Sequence, residues 1–233
     1  MLQIIPTRRI NLYGGPGSGK STTAAWLFAA LKDKGLHVEL VNEYVKSWAH
    51  TGRKVSGFDQ LYLLGKQIHY EDRLLKNGVD LIVTDSPIWL SPFYASLYSE
   101  VNIVKPLMEI CREFDSCYSG MDIFLNREGR PYNPKGRYQS EDESKDIDKK
   151  LIEFLRSNKY NSSYEPKSFK NDEREALLDW VENSVNLVPR SGIVRITYIS
   201  NEETIMKSDL GEAGRRSGYI DFAGNWHDDG KIS

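Results

Sequence analysis

Cysteine is scarce in this chain. Cys111 and Cys117 are the only two in 233 residues, close together and without partners at metal-ligand spacing. A disulfide-stapled scaffold and a cysteine-ligated metal centre are thereby excluded, and the pair reads as reduced thiols in or near the core of a cytoplasmic protein. Long apolar runs are missing too. Nothing approaches the length that spans a bilayer, and residues 1–9 (MLQIIPTRR) lack the apolar segment of a secretory signal, so no membrane partner is expected. Nor is there an excess of charge of one sign: 31 Lys and Arg against 33 Asp and Glu leave a formal net charge of −2. Such a chain has no global pull toward nucleic acid, and any contact with one needs a local patch. No internal repeat is visible. With 39 % hydrophobic residues, the length suffices for one full-sized core.

One octapeptide carries specific chemistry. Gly14-Gly15-Pro16-Gly17-Ser18-Gly19-Lys20-Ser21 fills every fixed position of a phosphate-binding P-loop. The apolar residues 10–13 before it read as a buried strand, and residues 22–34 behind it as an amphipathic helix opened by Thr22 and closed by Gly35. Glycines let successive N–H groups turn inward toward phosphate oxygens. The helix N-terminus adds its dipole, Lys20 a mobile positive charge, and Ser21 a hydroxyl for Mg²⁺. The expected ligand is a nucleoside triphosphate, with ATP and Mg²⁺ as cofactors.

Strand and helix signals then alternate, which predicts an α/β P-loop NTPase: a five-stranded parallel sheet flanked by helices. Strands are expected at 37–41, 81–84, 122–125 and 193–199, after the first at 10–13. A short helix is expected at 44–50. A longer one at about 58–76 carries Leu61, Leu64, Ile68 and Leu75 as its apolar stripe, with Gln60 and Gln67 read as solvent-facing rather than base-reading. Helical material fills 93–114, with a break near Pro106, and further helices are expected at 144–156 and 172–185. Residues 160–170 form a polar, tyrosine-bearing insertion. The P-loop domain is taken as 1–200, with a basic lid at about 126–143 and a polar tail over 201–233.

In an open parallel sheet the ligand lies at the carboxyl ends of the strands, so the acids there are the ones to inspect. Asp85 closes the 81–84 strand where a second nucleotide-binding motif would direct a carboxylate at the Mg²⁺ shell. Glu43 closes the second strand, as a general base for an acceptor hydroxyl or as an acid opening the next helix. Arg127, Arg130 and Arg137 sit among Gly and Pro after the fourth strand, and arginine forks there suit the charge of a phosphoryl group in transfer. Trp48, Trp89 and Tyr94 are candidates for base stacking and equally for packing.

A P-loop serves kinases, motors and switches alike. Motor ATPases place a glutamate after the strand-end aspartate, whereas Ser86 and Pro87 follow Asp85 here. Switch GTPases need Asn-Lys-x-Asp on a later strand, and Asn126-Arg127-Glu128-Gly129 does not match. A basic lid that excludes water suits a kinase.

The segments NLYGGPGSGKSTTAAWLFAALK, ELVNEY, DQLYLLGKQ, VTDSP and GRPYNPKGRYQ resemble a group of bacteriophage P-loop proteins described as AAA-type ATPases or thymidylate-kinase-like proteins. The resemblance covers about residues 9–155. That group includes kinases that phosphorylate the hydroxymethyl group of 5-hydroxymethyluracil in phage DNA, on the route to hypermodified thymidines. The resemblance implies a nucleotide-kinase-like fold and a similar ATP- and Mg²⁺-dependent reaction, with host cytoplasm as the location and DNA containing 5-hydroxymethyluracil as partner. By position, Lys20, Ser21, Asp85 and the loop arginines match nucleotide-handling roles. Two other readings stay open: a deoxynucleoside or deoxynucleoside monophosphate kinase acting on a free nucleoside or nucleotide, and a DNA-binding ATPase.

Overall fold

A computed structural model describes residues 7–44, 48, 55, 57–128, 132–133, 139–160, 166–170, 172–185, 195–196, 218–220 and 226–228. At its centre β1 (Arg9–Tyr13) is buried along all five residues. It pairs in parallel with β3 (Leu81–Thr84) on one side and β4 (Gly120–Asn126) on the other, so that Ile10 lies opposite both Val83 and Met121. β2 (Val38–Val41) and β5 (Lys167–Lys170) complete a five-stranded parallel sheet in the order β2-β3-β1-β4-β5. Parallel strands covered on both faces need apolar side chains on both, which accounts for runs such as Leu81-Ile82-Val83.

Side chains alternate across β1, and the two faces differ in chemistry. Ile10 and Leu12 pack with Leu27 and Leu31 of α1 (Lys20–Asp33) and with Leu177 and Val181 of α6 (Arg174–Val185). Each such buried leucine contributes about 1.5–3 kcal/mol of transfer free energy. Arg9, Asn11 and Tyr13 face the opposite layer, built from α2 (Asp59–Lys76), α3 (Leu90–Tyr98), α4 (Val104–Cys117) and α5 (Glu141–Asn158). Leu64, Phe93, Leu107 and Leu151 from these four helices form its apolar part. The result is the α/β P-loop NTPase architecture. Among the described residues no helix is long and apolar enough to cross a membrane.

Three expectations need correction. The fifth strand of the sheet is β5, inside the segment read as a polar insertion, and not residues 193–199. β5 is an edge strand with one neighbour, so Phe169 alone of its four residues is buried and no apolar run announces it. The described part of 193–199, β6 (Arg195–Ile196), instead pairs antiparallel with β7 (Gly218–Ile220), which pairs with β8 (Trp226–Asp228) in a separate three-stranded sheet. The helical break lies between Tyr98 and Val104, where Ser99 is extended (φ −85°, ψ 132°). Pro106 falls in the first turn of α4, where its missing N–H would have no helical acceptor.

The third correction concerns α2. Gln60 and Gln67 are buried, while Leu61, read as core, is exposed. The cause lies in the sheet. Arg9, fully buried, donates through Nε to Glu71 Oε2 at 2.8 Å, and Gln67 Nε2 donates to Glu71 Oε1 at 2.7 Å and to Thr84 Oγ1 at 3.1 Å. Satisfying a buried guanidinium requires those polar groups inward, and the helix is rotated accordingly. Most of residues 44–50 lie outside the described residues. Of the two free cysteines Cys111 is buried and Cys117, at the end of α4, is exposed.

Candidate functional site

The loop between β1 and α1 takes its shape from glycine. Gly14, Gly17 and Gly19 hold φ at +142°, +84° and +99°, conformations that side chains disfavour. A Cβ on Gly14 would also come within 2.5 Å of Ser18 Oγ. Gly19 starts α1 without offering a side-chain acceptor to the first-turn N–H groups, which suits a helix start built for an external anion. Lys20 Nζ curls over the loop and donates to Gly14 O at 2.6 Å and Gly15 O at 3.1 Å. Burial lowers the pKa of this ammonium, and the carboxylates of Glu43, Asp85 and Asp148 act against that.

Two of the expected acids meet beside this lysine. Asp85, buried just past β3, accepts the backbone N–H of Glu43 at 2.9 Å, and Glu43 follows β2. The β2, β3 and β1 ends are neighbours in the sheet, so parallel pairing alone brings Glu43, Asp85 and Lys20 together. The loop after β3 is tied down through Thr84, whose Oγ1 accepts from Ser86 N at 3.1 Å as well as from Gln67. Tyr94 of α3 stands nearby, partly buried, its phenol pKa pushed up by burial and then by the Glu43 carboxylate.

Arg127, leaving the end of β4, lies against the P-loop. Its two Nη atoms donate to Pro16 O at 3.3 Å, Nη2 donates to Ser144 O at 3.1 Å, and Nε is ion-paired with Asp148 Oδ2. The other oxygen of that carboxylate accepts the Gly15 N–H at 2.5 Å. Asp148 thus ties α5 to both the P-loop and the arginine, a role that nothing in the sequence singles out. A capping box fixes the start of α5: Ser140 Oγ accepts Glu143 N–H at 3.3 Å and Glu143 Oε2 accepts Ser140 N–H at 2.6 Å. Arg130 and Arg137 lie outside the described residues.

The aromatic candidates divide. Trp89 is buried and donates Nε1–H to Asp115 at 2.7 Å, which makes it a core residue. Trp48 is also largely buried and stacks on Tyr62 at 5.9 Å between centroids.

Gly15 leaves no space for a side chain. A Cβ there would sit 2.8 Å from Asp148 Oδ1, 2.8 Å from Ser144 O and 3.2 Å from Arg127 Nη2. Gly15→Ala therefore forces α5 away from the loop, and overpacking of this kind costs about 1–3 kcal/mol. A lower melting temperature, with weaker binding of a fluorescent ATP analogue, is the expected result in thermal denaturation and titration. Wild-type values in both would mean that α5 does not clamp the loop.

The chemistry of the residues present fits a nucleotide with its metal. The P-loop amides and Lys20 suit phosphate oxygens. Ser21, in the first turn of α1, and Asp85 supply hard oxygen donors of the kind Mg²⁺ takes alongside phosphate and water.

Comparison with known proteins places this site in context. The crystal structure of NadR protein in complex with NR aligns with a TM-score of 0.56 at 12 % identity, over 78 % of this chain and 53 % of that one. NadR in complex with NAD and AMP-PNP gives 0.57 and 12 %, over 78 % and 50 %. This chain spans about half the length of those proteins. Thymidylate kinase from Candida albicans gives 0.50 at 14 % identity, over 78 % and 92 %. At such identities the likeness is one of fold alone, the α/β P-loop fold. No curated protein matches. The AAA domain family (AAA_28) matches residues 9–169, more than half of the sequence, and the chain belongs to that family.

Proposed function

We propose that this protein transfers a phosphoryl group from ATP to a hydroxyl. The observation that carries the reading is the meeting of Glu43, Asp85 and Lys20 at three neighbouring strand ends, with the Glu43 N–H on Asp85 and both carboxylates acting on the ammonium. A hydroxyl must lose a proton as it attacks, so a base beside the phosphate cradle assists it, whereas an ionised phosphate acceptor gains nothing.

In this scheme the loop from Gly14 to Thr22 cradles the phosphates, and Lys20 offsets their charge. Ser21 and Asp85 would hold Mg²⁺, which would neutralise charge on the phosphate oxygens. Glu43 takes the acceptor proton as the hydroxyl oxygen attacks the γ-phosphorus. The bond from phosphorus to the bridging oxygen breaks, and ADP leaves. Arg127, oriented by Asp148, meets the phosphates from the β4 side, and Arg130 and Arg137 join it on the strength of the sequence. The structural neighbour described with AMP-PNP supports an adenine nucleotide as donor. The acceptor we assign is the hydroxymethyl oxygen of 5-hydroxymethyldeoxyuridine in DNA. That assignment rests on the sequence resemblance.

Incubation with γ-labelled ATP and Mg²⁺ tests the scheme against four acceptors: hydroxymethyluracil-containing DNA, ordinary DNA, free deoxynucleosides and their monophosphates. Label on the hydroxymethyluracil DNA alone is expected. Label confined to free monomers reassigns the acceptor, and release of inorganic phosphate alone overturns phosphoryl transfer.

A further inference from the structure

The rotation of α2 that buries Gln67 and Glu71 turns an unusual face outward. Phe58, at the start of the helix, is 66 % exposed; Leu61 and Tyr62 are 45 % and Tyr70 is 47 % exposed. Gly65, Lys66, His69 and Arg73 complete that face, all exposed, and Gly65 has nothing within 4 Å of where a Cβ would be. One carboxylate, Asp59, lies at its N-terminal end, three residues before Tyr62. Of the other acids on the helix, Glu71 is buried and Asp72 is bound to Lys76 and Tyr118. A merely solvated helix looks different. On α5 the exposed charges pair at i,i+4, Lys145 with Glu141 at 2.9 Å and Lys150 with Asp146 at 2.6 Å.

On α2 the cations lie against rings instead. Lys66 Nζ is 5.6 Å from the Tyr62 ring centroid and 5.8 Å from that of Tyr44, and the Arg73 guanidinium is 4.9 Å from that of Tyr70. Tyr44 and Tyr62 meet edge to face at 5.9 Å, and Tyr44 is 42 % exposed. Tyr62, Lys66 and Tyr70 repeat at i+4 and so form one stripe. From Phe58 to Arg73 it runs about 22 Å at 1.5 Å per residue, longer than a single nucleotide.

We infer that this face of α2 is a binding track for single-stranded nucleic acid, with Tyr70 stacking a base, Tyr62 extending its stack on Trp48 to another, and Lys66 and Arg73 facing phosphates. Flat rings alternating with cations that form no ion pair among the described residues complement a polymer of flat bases and anionic linkages. Protein interfaces share the aromatics and the arginine but are poor in lysine, so Lys66 beside Tyr62 favours the nucleic acid. The track reaches the candidate base through Tyr44, the residue after Glu43. It supplies the local patch that a chain of net charge −2 requires. The inference rests on the acceptor reading only for which hydroxyl the strand presents.

Binding of the full chain to a fluorescein-labelled single-stranded oligothymidylate, followed by anisotropy without ATP, tests it. The affinity should fall linearly on a log–log plot against salt. Lys66→Ala/Arg73→Ala should weaken binding about tenfold at low salt and make that slope shallower by about 1.4, for two lost phosphate contacts. Tyr62→Ala should cost about tenfold, and Tyr62→Phe, which keeps the ring, should bind as the wild type. Circular dichroism melting checks that the variants fold. No binding by the wild type, binding that these substitutions leave unaltered, or equal binding to a duplex without loss in Tyr62→Ala would each overturn the inference. Because ATP is absent, a strand-binding chain that transfers no phosphate is distinguished from a phosphotransferase with a monomeric acceptor.

Discussion

Glu43→Gln should lower the rate of phosphoryl transfer to a hydroxyl by about 10²–10⁴-fold while leaving ATP affinity within about threefold of the wild type. The amide keeps the shape of the side chain and removes its capacity to take a proton. The backbone N–H of Glu43, which donates to Asp85, is untouched, so the strand-end geometry survives the substitution. Loss should therefore appear in kcat rather than in nucleotide binding. The acceptor sharpens the result. With a monophosphate, already ionised, the variant should perform as the wild type does. Single-turnover rates with both acceptor types, beside titration of a fluorescent ATP analogue, separate the outcomes. An unaltered rate on a hydroxyl acceptor makes Glu43 a loop residue that happens to stand near Lys20. An equal loss of ATP affinity moves its role to nucleotide binding.

The parts of this architecture that could be read from the sequence are those fixed by local chemistry. The P-loop announces itself because glycines at set offsets, a lysine and a hydroxyl have one common use between a strand and a helix. The strand-end acids could be found because parallel strands deliver their following residues to one edge. What escaped depends on contacts distant in sequence. Asp148 is one acid among Glu141, Asp142, Glu143 and Asp146 on α5, and only the fold brings its carboxylate to Gly15 and Arg127. β5 was hidden by its place at the edge, where one buried phenylalanine is enough. The orientation of α2 is not legible in the sequence because its apolar stripe and its inward polar groups compete for the same face. Arg9, 62 residues away from Glu71, decides that competition.

That buried arginine leads to the largest expected effect on stability. Arg9 has no exposed side-chain surface and is held by Glu71 at 2.8 Å and Asp115 at 2.6 Å, with its guanidinium 4.8 Å from the Phe114 ring centroid. Burial disfavours its charge, and the two carboxylates more than offset this, so its pKa is raised. Arg9→Ala strands Glu71, equally inaccessible, and weakens the hold on Asp115, which also accepts from Trp89. Breaking such a buried pair costs about 3–5 kcal/mol, a fall in melting temperature of about 6–20 °C for a chain of this size. Replacing both partners is different in kind: Arg9→Met/Glu71→Leu leaves neither charge buried alone and should recover part of the loss. Thermal and denaturant unfolding of Arg9→Met, Glu71→Leu and the double variant form the cycle that measures the pair. Additive losses in that cycle would mean that Arg9 stabilises the fold by packing against Phe114, not by its charge. The same cycle read in nucleotide affinity has a second use. Glu71 holds Gln67, Gln67 holds Thr84, and Thr84 holds the turn that follows Asp85. A loss of affinity in Arg9→Met, beyond what unfolding accounts for, would mark the buried charge as a support of the site as well as of the fold.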